Sequence, residues 1–213
     1  MKYSIVTFGC RVNQADSLRL EEDLRARGGE AAPSSTADLV VVNTCSVTAT
    51  ADQGARQTIR RIARENPGAR IVATGCYATR CEEDVAALPN VVRVVRNDEK
   101  LGLVDLMPEL KLRPASDPIS SDGGRSFASG DTGDGPCGAT IEPGVAGRTA
   151  FTIRAQTGCE EACAFCIIPK TRGASRSLPI GTLASDVRRV AAAGFKEVAI
   201  AGVQSIGSSE LMR

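Results

Sequence analysis

The chain carries eight cysteines and no histidine, so its metal and redox chemistry must be built on sulfur. Cys159, Cys163 and Cys166 form a C-x3-C-x2-C run. Cysteine thiolates are the standard ligands of iron–sulfur clusters, and a compact loop with three of them can hold three irons of a cubane. The fourth iron is then open to a substrate. Zinc stays open as an alternative, although zinc sites usually pair C-x2-C units or recruit histidine. The four-cysteine ferredoxin run is not matched. Cys10, Cys45 and Cys76 are scattered in sequence, but each follows a short apolar run: Phe8-Gly9-Cys10, Asn43-Thr44-Cys45 and Thr74-Gly75-Cys76.

The elements that must position these thiols alternate regularly. Strands are expected at residues 3–8, 38–43, 70–74 and 91–95, and helices at 16–27, 50–65, 81–88 and 99–107. The run Asp38-Leu39-Val40-Val41-Val42-Asn43 has the unbroken apolar character of a strand buried on both faces of a parallel sheet. Strand and helix alternating through short connections predict an α/β fold with a doubly wound parallel-sheet domain. Ligands in such folds bind at the carboxyl ends of the strands. There Cys10, Cys45 and Cys76 would converge and supply a second three-thiolate site, unless they are three separate buried cysteines. Residues 113–148 are roughly half Gly, Pro and Ser and lose periodicity, which reads as a linker. Order resumes with a strand at 149–156, a helix at 179–193 and a strand at 196–201. Residues 149–213 form the start of a second domain, too short to close a (β/α) barrel.

Length and composition bound what else is possible. Two hundred and thirteen residues suit one large or two small domains, with 42% hydrophobic and 24% charged residues. Aromatics are 3%, so the core must be Val, Ile, Leu and Ala. No apolar run approaches a membrane span. The start, Met1-Lys2-Tyr3-Ser4-Ile5, lacks a signal-peptide core, so a cytoplasmic chain is expected. Eight cysteines in a reducing compartment do not read as a disulfide framework. A net charge of +1 neither requires nor excludes a nucleic-acid partner.

The flanks of the cysteine loop are Gln156-Thr157-Gly158-Cys159 and Cys166-Ile167-Ile168-Pro169-Lys170-Thr171-Arg172-Gly173. With them the chain resembles the radical S-adenosylmethionine (SAM) superfamily, and in particular its methylthiotransferase branch. The segments Phe8-Gly9-Cys10-Arg11-Val12-Asn13-Gln14, Asn43-Thr44-Cys45-Ser46-Val47-Thr48 and Ala73-Thr74-Gly75-Cys76-Tyr77-Ala78 are similar to the N-terminal domain of that family. The resemblance implies two 4Fe–4S clusters. One, on Cys159, Cys163 and Cys166, would bind SAM and cleave it to a 5′-deoxyadenosyl radical. An auxiliary one, on Cys10, Cys45 and Cys76, would handle the sulfur to be inserted. Phe165 would lie against the adenine of SAM, with core packing as the other reading. The resemblance covers most of 1–112 and 149–202. It departs from the family pattern after Ala201-Gly202-Val203, so only the beginning of a radical SAM partial barrel is expected.

The stretch Gly9-Cys10-Arg11-Val12-Asn13-Gln14 most resembles the branch acting on N6-threonylcarbamoyladenosine beside the tRNA anticodon. That implies a tRNA partner and an electron-donor protein, with no membrane or DNA partner. Alternatives are a methylthiotransferase for isopentenyladenosine tRNA or a ribosomal protein, an inactive truncated iron–sulfur fragment or redox sensor, and a zinc-binding interaction module. Cys81 and Cys137 are expected to be packing and an exposed linker thiol. Asn13 and Gln14 are read on a loop before a helix, contacting cluster sulfur or capping. Arg172 and Arg176 are read as facing SAM or RNA phosphate, or as a solvated pair. Arg56, Arg60, Arg61 and Arg64 are read as a solvated helix face that could meet tRNA.

Overall fold

The computed structural model describes residues 1–46, 48–107, 150–161 and 163–203. The expected linker and Cys137 lie outside the described residues. The strands β1 (Lys2–Thr7), β2 (Glu30–Ala31), β3 (Leu39–Thr44), β4 (Arg70–Gly75) and β5 (Val91–Val95) form one parallel sheet in the order β2-β1-β3-β4-β5. The direction of winding reverses between β1 and β3. In open α/β sheets this switch point opens a crevice beyond the carboxyl strand ends.

Side-chain alternation on β3 explains its apolar run. Val40 and Val42 join Val6, Ile59, Ile62 and Ile71 on one face, under α2 (Ala49–Glu65). Leu39 and Val41 join Tyr3, Leu20, Leu24 and Val72 on the other, under α1 (Arg11–Ala26). Each fully buried aliphatic side chain contributes roughly 1.5–3 kcal/mol, so both faces drive folding.

Helix α1 starts at Arg11, with Cys10 as its N-cap residue, earlier than the sequence suggests. Asn13 and Gln14 therefore sit in its first turn and not on a loop. The reason lies in its packing. Leu20 and Leu24 face the large sheet while Leu18 packs with Phe151, Ile153, Val190 and Phe195 of the C-terminal segment. Covered on two sides, α1 also buries Asn13, Asp16, Ser17 and Glu21, so its apolar periodicity is weak.

After β4 the chain forms two short helices, α3 (Cys76–Arg80) and α4 (Glu82–Ala86), in place of one helix over 81–88. Cys81 lies between them, half-buried and packed against the core. The expected helix over 99–107 is only a 3-10 turn at Lys100–Gly102 followed by further turns. Leu103, Val104 and Met107 still reach the core from it.

In the C-terminal segment β6 (Ala150–Arg154) pairs in parallel with β9 (Glu197–Ala201), joined through α6 (Ile180–Ala192). A two-residue antiparallel ladder, β7 (Gln156–Thr157) with β8 (Arg176–Ser177), closes the base of the cysteine loop. The one-turn helix α5 (Ile168–Arg172) lies within that loop. The 149–156 strand is thus split at Ala155. Among the described residues, no helix is long and apolar enough to cross a membrane.

Candidate functional site

Cys10 follows β1, Cys45 follows β3 and Cys76 opens the helix after β4, so all three stand at one sheet edge and two flank the switch point. Their corners are tightly nested. A Cβ built on Gly9 would come within 2.5 Å of Cys45 Sγ, and one on Gly75 within 2.1 Å of the Thr44 carbonyl oxygen. Glycine before Cys10 and before Cys76 is what lets these backbones approach. Thr44 ties the corners further: its hydroxyl donates to the Thr74 carbonyl at 2.6 Å and accepts from the Ala78 amide at 3.0 Å. Cys45 and Cys76 are buried and Cys10 is exposed.

The second set stays on its own loop. Gln156 holds the loop base: its Nε2 donates to Gly158 O at 2.7 Å and to Ser175 Oγ at 2.9 Å, while its Oε1 accepts from the Val203 amide at 2.8 Å. The Cys159 amide donates to Gly173 O at 3.0 Å, and the Cys166 amide to Cys163 O at 3.1 Å. Cys163 is exposed and the other two are half-buried. Phe165 is 95% exposed, which removes the core-packing reading. No disulfide joins the seven described cysteines, and among the described residues no three Cys, Asp or Glu side chains group around one metal ion.

Arg172 is neither a surface residue nor a partner of Arg176 on a solvated face. It is 3% exposed and reaches across to α1. Its guanidinium hydrogen-bonds Asn13 Oδ1 and Thr157 Oγ1 and lies 3.5 Å from Asp16. Asp16 also binds Lys100 Nζ at 3.1 Å and pairs with Arg154. Lys100, fully buried, donates further to Asn43 Oδ1 at 3.0 Å. Three cations thus surround one carboxylate. Burial opposes the Asp16 charge, but Lys100, Arg154 and Arg172 outweigh it and its pKa falls below the ordinary value. Burial dominates at Lys100, whose pKa is lowered despite Asp16. Burial also opposes the Arg172 charge, yet Cys76, Asp16 and Cys10, with a hydrogen bond to Cys76, raise its pKa.

That charge balance tests whether an iron–sulfur group fits here. Burying an ion without a partner costs several kcal/mol. One carboxylate does not balance Lys100, Arg154 and Arg172, and a negatively charged group at the Cys10 and Cys76 corners would restore the balance. Asn97 adds a donor, with Nδ2 3.6 Å from Cys76 Sγ, while its own Oδ1 is buried without a hydrogen-bond partner among the described residues. A thiolate donor set beside buried cations and an amide N–H suits an iron–sulfur cluster. The sequence reading does not mark Asp16, Asn97 or Lys100, and it names Gln156 only as part of the flank of the cysteine loop. An acidic residue in a weakly periodic helix was the available signal for Asp16.

The other basic run divides. Arg56 donates to Tyr77 Oη at 2.9 Å and stacks on its ring at 5.5 Å. Arg60 and Arg64 are exposed, and Arg61 is half-buried.

The described residues form an α/β fold built on a five-stranded parallel sheet. A structure of a radical S-adenosylmethionine methyltransferase, TsrM, from Kitasatospora setae matches 95% of this chain and 48% of its own, with TM-score 0.58 and 14% identity. Residues 2–96 match the sequence model described as "Uncharacterized protein family UPF0004". The chain is similar in sequence to methylthiotransferases. It is 34% identical over 203 residues to the threonylcarbamoyladenosine tRNA methylthiotransferase MtaB of Rickettsia prowazekii, covering 95% of this chain and 44% of that protein. It is 34% identical over 219 residues to the ribosomal protein uS12 methylthiotransferase RimO of a Roseiflexus species, covering 94% and 45%. The chain spans under half the length of these curated relatives.

Proposed function

We propose that this chain is the cluster-bearing part of a radical SAM methylthiotransferase that places a methylthio group on carbon 2 of N6-threonylcarbamoyladenosine in tRNA. The observation that carries the reading is the placement of Cys10, Cys45 and Cys76 at one sheet edge, with Arg172 from the segment after the second cysteine set buried against Asn13 and Asp16 of the helix that Cys10 caps. In this reading residues 1–112 hold an auxiliary 4Fe–4S cluster through Cys10, Cys45 and Cys76. Residues 113–148 link it to the start of the SAM domain at 149–213, where Cys159, Cys163 and Cys166 hold the second cluster and Phe165 meets the adenine of SAM. When bound, these groups supply one-electron cleavage of SAM and a source of sulfur.

The chain's own residues do the rest. Gln156 fixes the base of the second loop. Asn13 bonds the carbonyl oxygens of Phe8 and Thr44 at 2.8 and 2.9 Å, so the Cys10 and Cys45 corners hold one geometry. Arg172 and Lys100 place buried positive charge beside the Cys10 and Cys76 corners. An electron-donor protein and the tRNA anticodon loop are the expected partners, in the cytoplasm.

The similarity to RimO supports a second reading, with a ribosomal protein as substrate. Anaerobic reconstitution followed by iron and sulfide analysis tests the cluster assignment. About eight irons per chain support it; zinc retained in place of iron overturns it. Mass spectrometry of tRNA and ribosomal protein from cells lacking the gene separates the substrates: the modification lost is the one the enzyme makes.

A further inference from the structure

Arg172 belongs by sequence to the loop of Cys159, Cys163 and Cys166, yet its charge is spent on the other cysteine set. It ends α5, is almost wholly buried, and bonds Asn13, Thr157 and Asp16. Next to it Thr171 gives its carbonyl oxygen to Asn97 Nδ2 at 2.7 Å, the same nitrogen that lies 3.6 Å from Cys76 Sγ. The C-terminal segment therefore reaches the cysteine corners twice, once through a backbone carbonyl that orients Asn97 beside Cys76 and once through a guanidinium on Asn13, whose amide holds the Phe8 and Thr44 carbonyls next to the Cys10 and Cys45 corners. Asp16 does not need Arg172 to be paired, since Lys100 and Arg154 both remain. Desolvating a third cation beside a carboxylate that already has two is costly. The expense has a purpose if Arg172 serves the sulfurs of Cys10 and Cys76.

We propose that Arg172 is a positioning residue that sets the reduction potential of the centre held by Cys10, Cys45 and Cys76, so that docking of the C-terminal segment tunes the auxiliary site. This rests on the cluster assignment above. The potential of an iron–sulfur centre depends on local net charge, hydrogen bonds to sulfur and exposure to solvent. A buried positive charge stabilises the more negative, reduced state and raises the potential. Asn97, oriented by Thr171, acts in the same direction through its N–H bond to Cys76. Because both contacts come through residues 171 and 172, withdrawal of this segment removes charge and hydrogen-bond orientation together and wets the site.

The test uses the full chain with Cys159, Cys163 and Cys166 replaced by alanine, so that only the auxiliary centre gives a signal. Its potential is measured by redox titration followed by electron paramagnetic resonance, with and without R172Q and R172K. The expected result is a lower potential in R172Q and one close to the parent in R172K, which keeps the charge. An unchanged potential in R172Q with iron intact overturns the inference while leaving the cluster assignment standing. A parent chain that binds no iron overturns the assignment, and the inference with it. Loss of iron in R172Q while R172K and the parent keep it also overturns the inference, because Arg172 is then required to assemble the centre and does not tune it.

Discussion

The Asn97 amide nitrogen lies 3.6 Å from the Cys76 sulfur and 2.7 Å from the Thr171 carbonyl oxygen, so one side chain touches both cysteine-bearing segments. Leucine at this position is isosteric but cannot donate. N97L is expected to keep iron at the first site but to weaken the hold of the C-terminal segment. Limited proteolysis of the metal-free chain checks this: cleavage after Arg172 should appear in the variant before the parent.

Asp16 is the shared carboxylate of Lys100, Arg154 and Arg172. Removing one partner of a buried ion cluster strands the others. D16A is expected to destabilise the metal-free chain by about 3–5 kcal/mol, and D16N by less, because an amide oxygen still accepts hydrogen bonds. Urea unfolding at pH 7 measures both. A loss below about 1 kcal/mol for D16A would show that the cluster is solvated in solution.

Glu21 gives a pH dependence in the opposite sense to most acids. Burial raises its pKa to about 7 and outweighs its bridge to Arg25 at 2.9 Å. The folded state therefore holds this proton more tightly than the unfolded chain. Its contribution is fully present below pH ~4.5 and is lost as pH rises through ~7, on the order of 3 kcal/mol. E21Q cannot ionise and should be the more stable chain at pH 8, with little advantage at pH 4.5. Melting temperatures across that range check the sign.

Gly158 adopts φ +77°, and a Cβ there would meet the Ala174 carbonyl oxygen at 1.9 Å. G158A must shift the backbone that carries Cys159. Left-handed backbone alone costs a non-glycine residue roughly 1–2 kcal/mol, and the clash adds to it. Iron bound by the second cysteine set should fall while that of the first set is retained, as counted in separate triple-alanine backgrounds.

Much of the fold was legible because it rests on patterns that survive without tertiary knowledge. The β3 run could only be a strand buried on both faces, and the Cys10, Cys45 and Cys76 placements followed from strand ends. The solvated-pair reading of Arg172 fails because its burial depends on Asp16, far away in sequence, whereas basic residues are usually solvated. The early start of α1 is hidden in the sequence because Asn13 turns its amide to the Phe8 and Thr44 carbonyls and not to water. The Glu30–Ala31 strand is too short for any period to show. The expected helix at 99–107 failed because Lys100 turns inward to Asp16 while Leu103, Val104 and Met107 cap the core from turns.

The two cysteine sets also differ in when they can exist. Cys159, Cys163 and Cys166 occupy one short loop, so a nascent chain can gather them with little loss of closure entropy. Cys10, Cys45 and Cys76 stand on separate strand ends and meet only after β1, β3 and β4 have paired. On the proposed assignment, loading of the first site would therefore be downstream of sheet assembly, and iron captured there would report a finished sheet, while iron on the second loop would report only that the loop has been made.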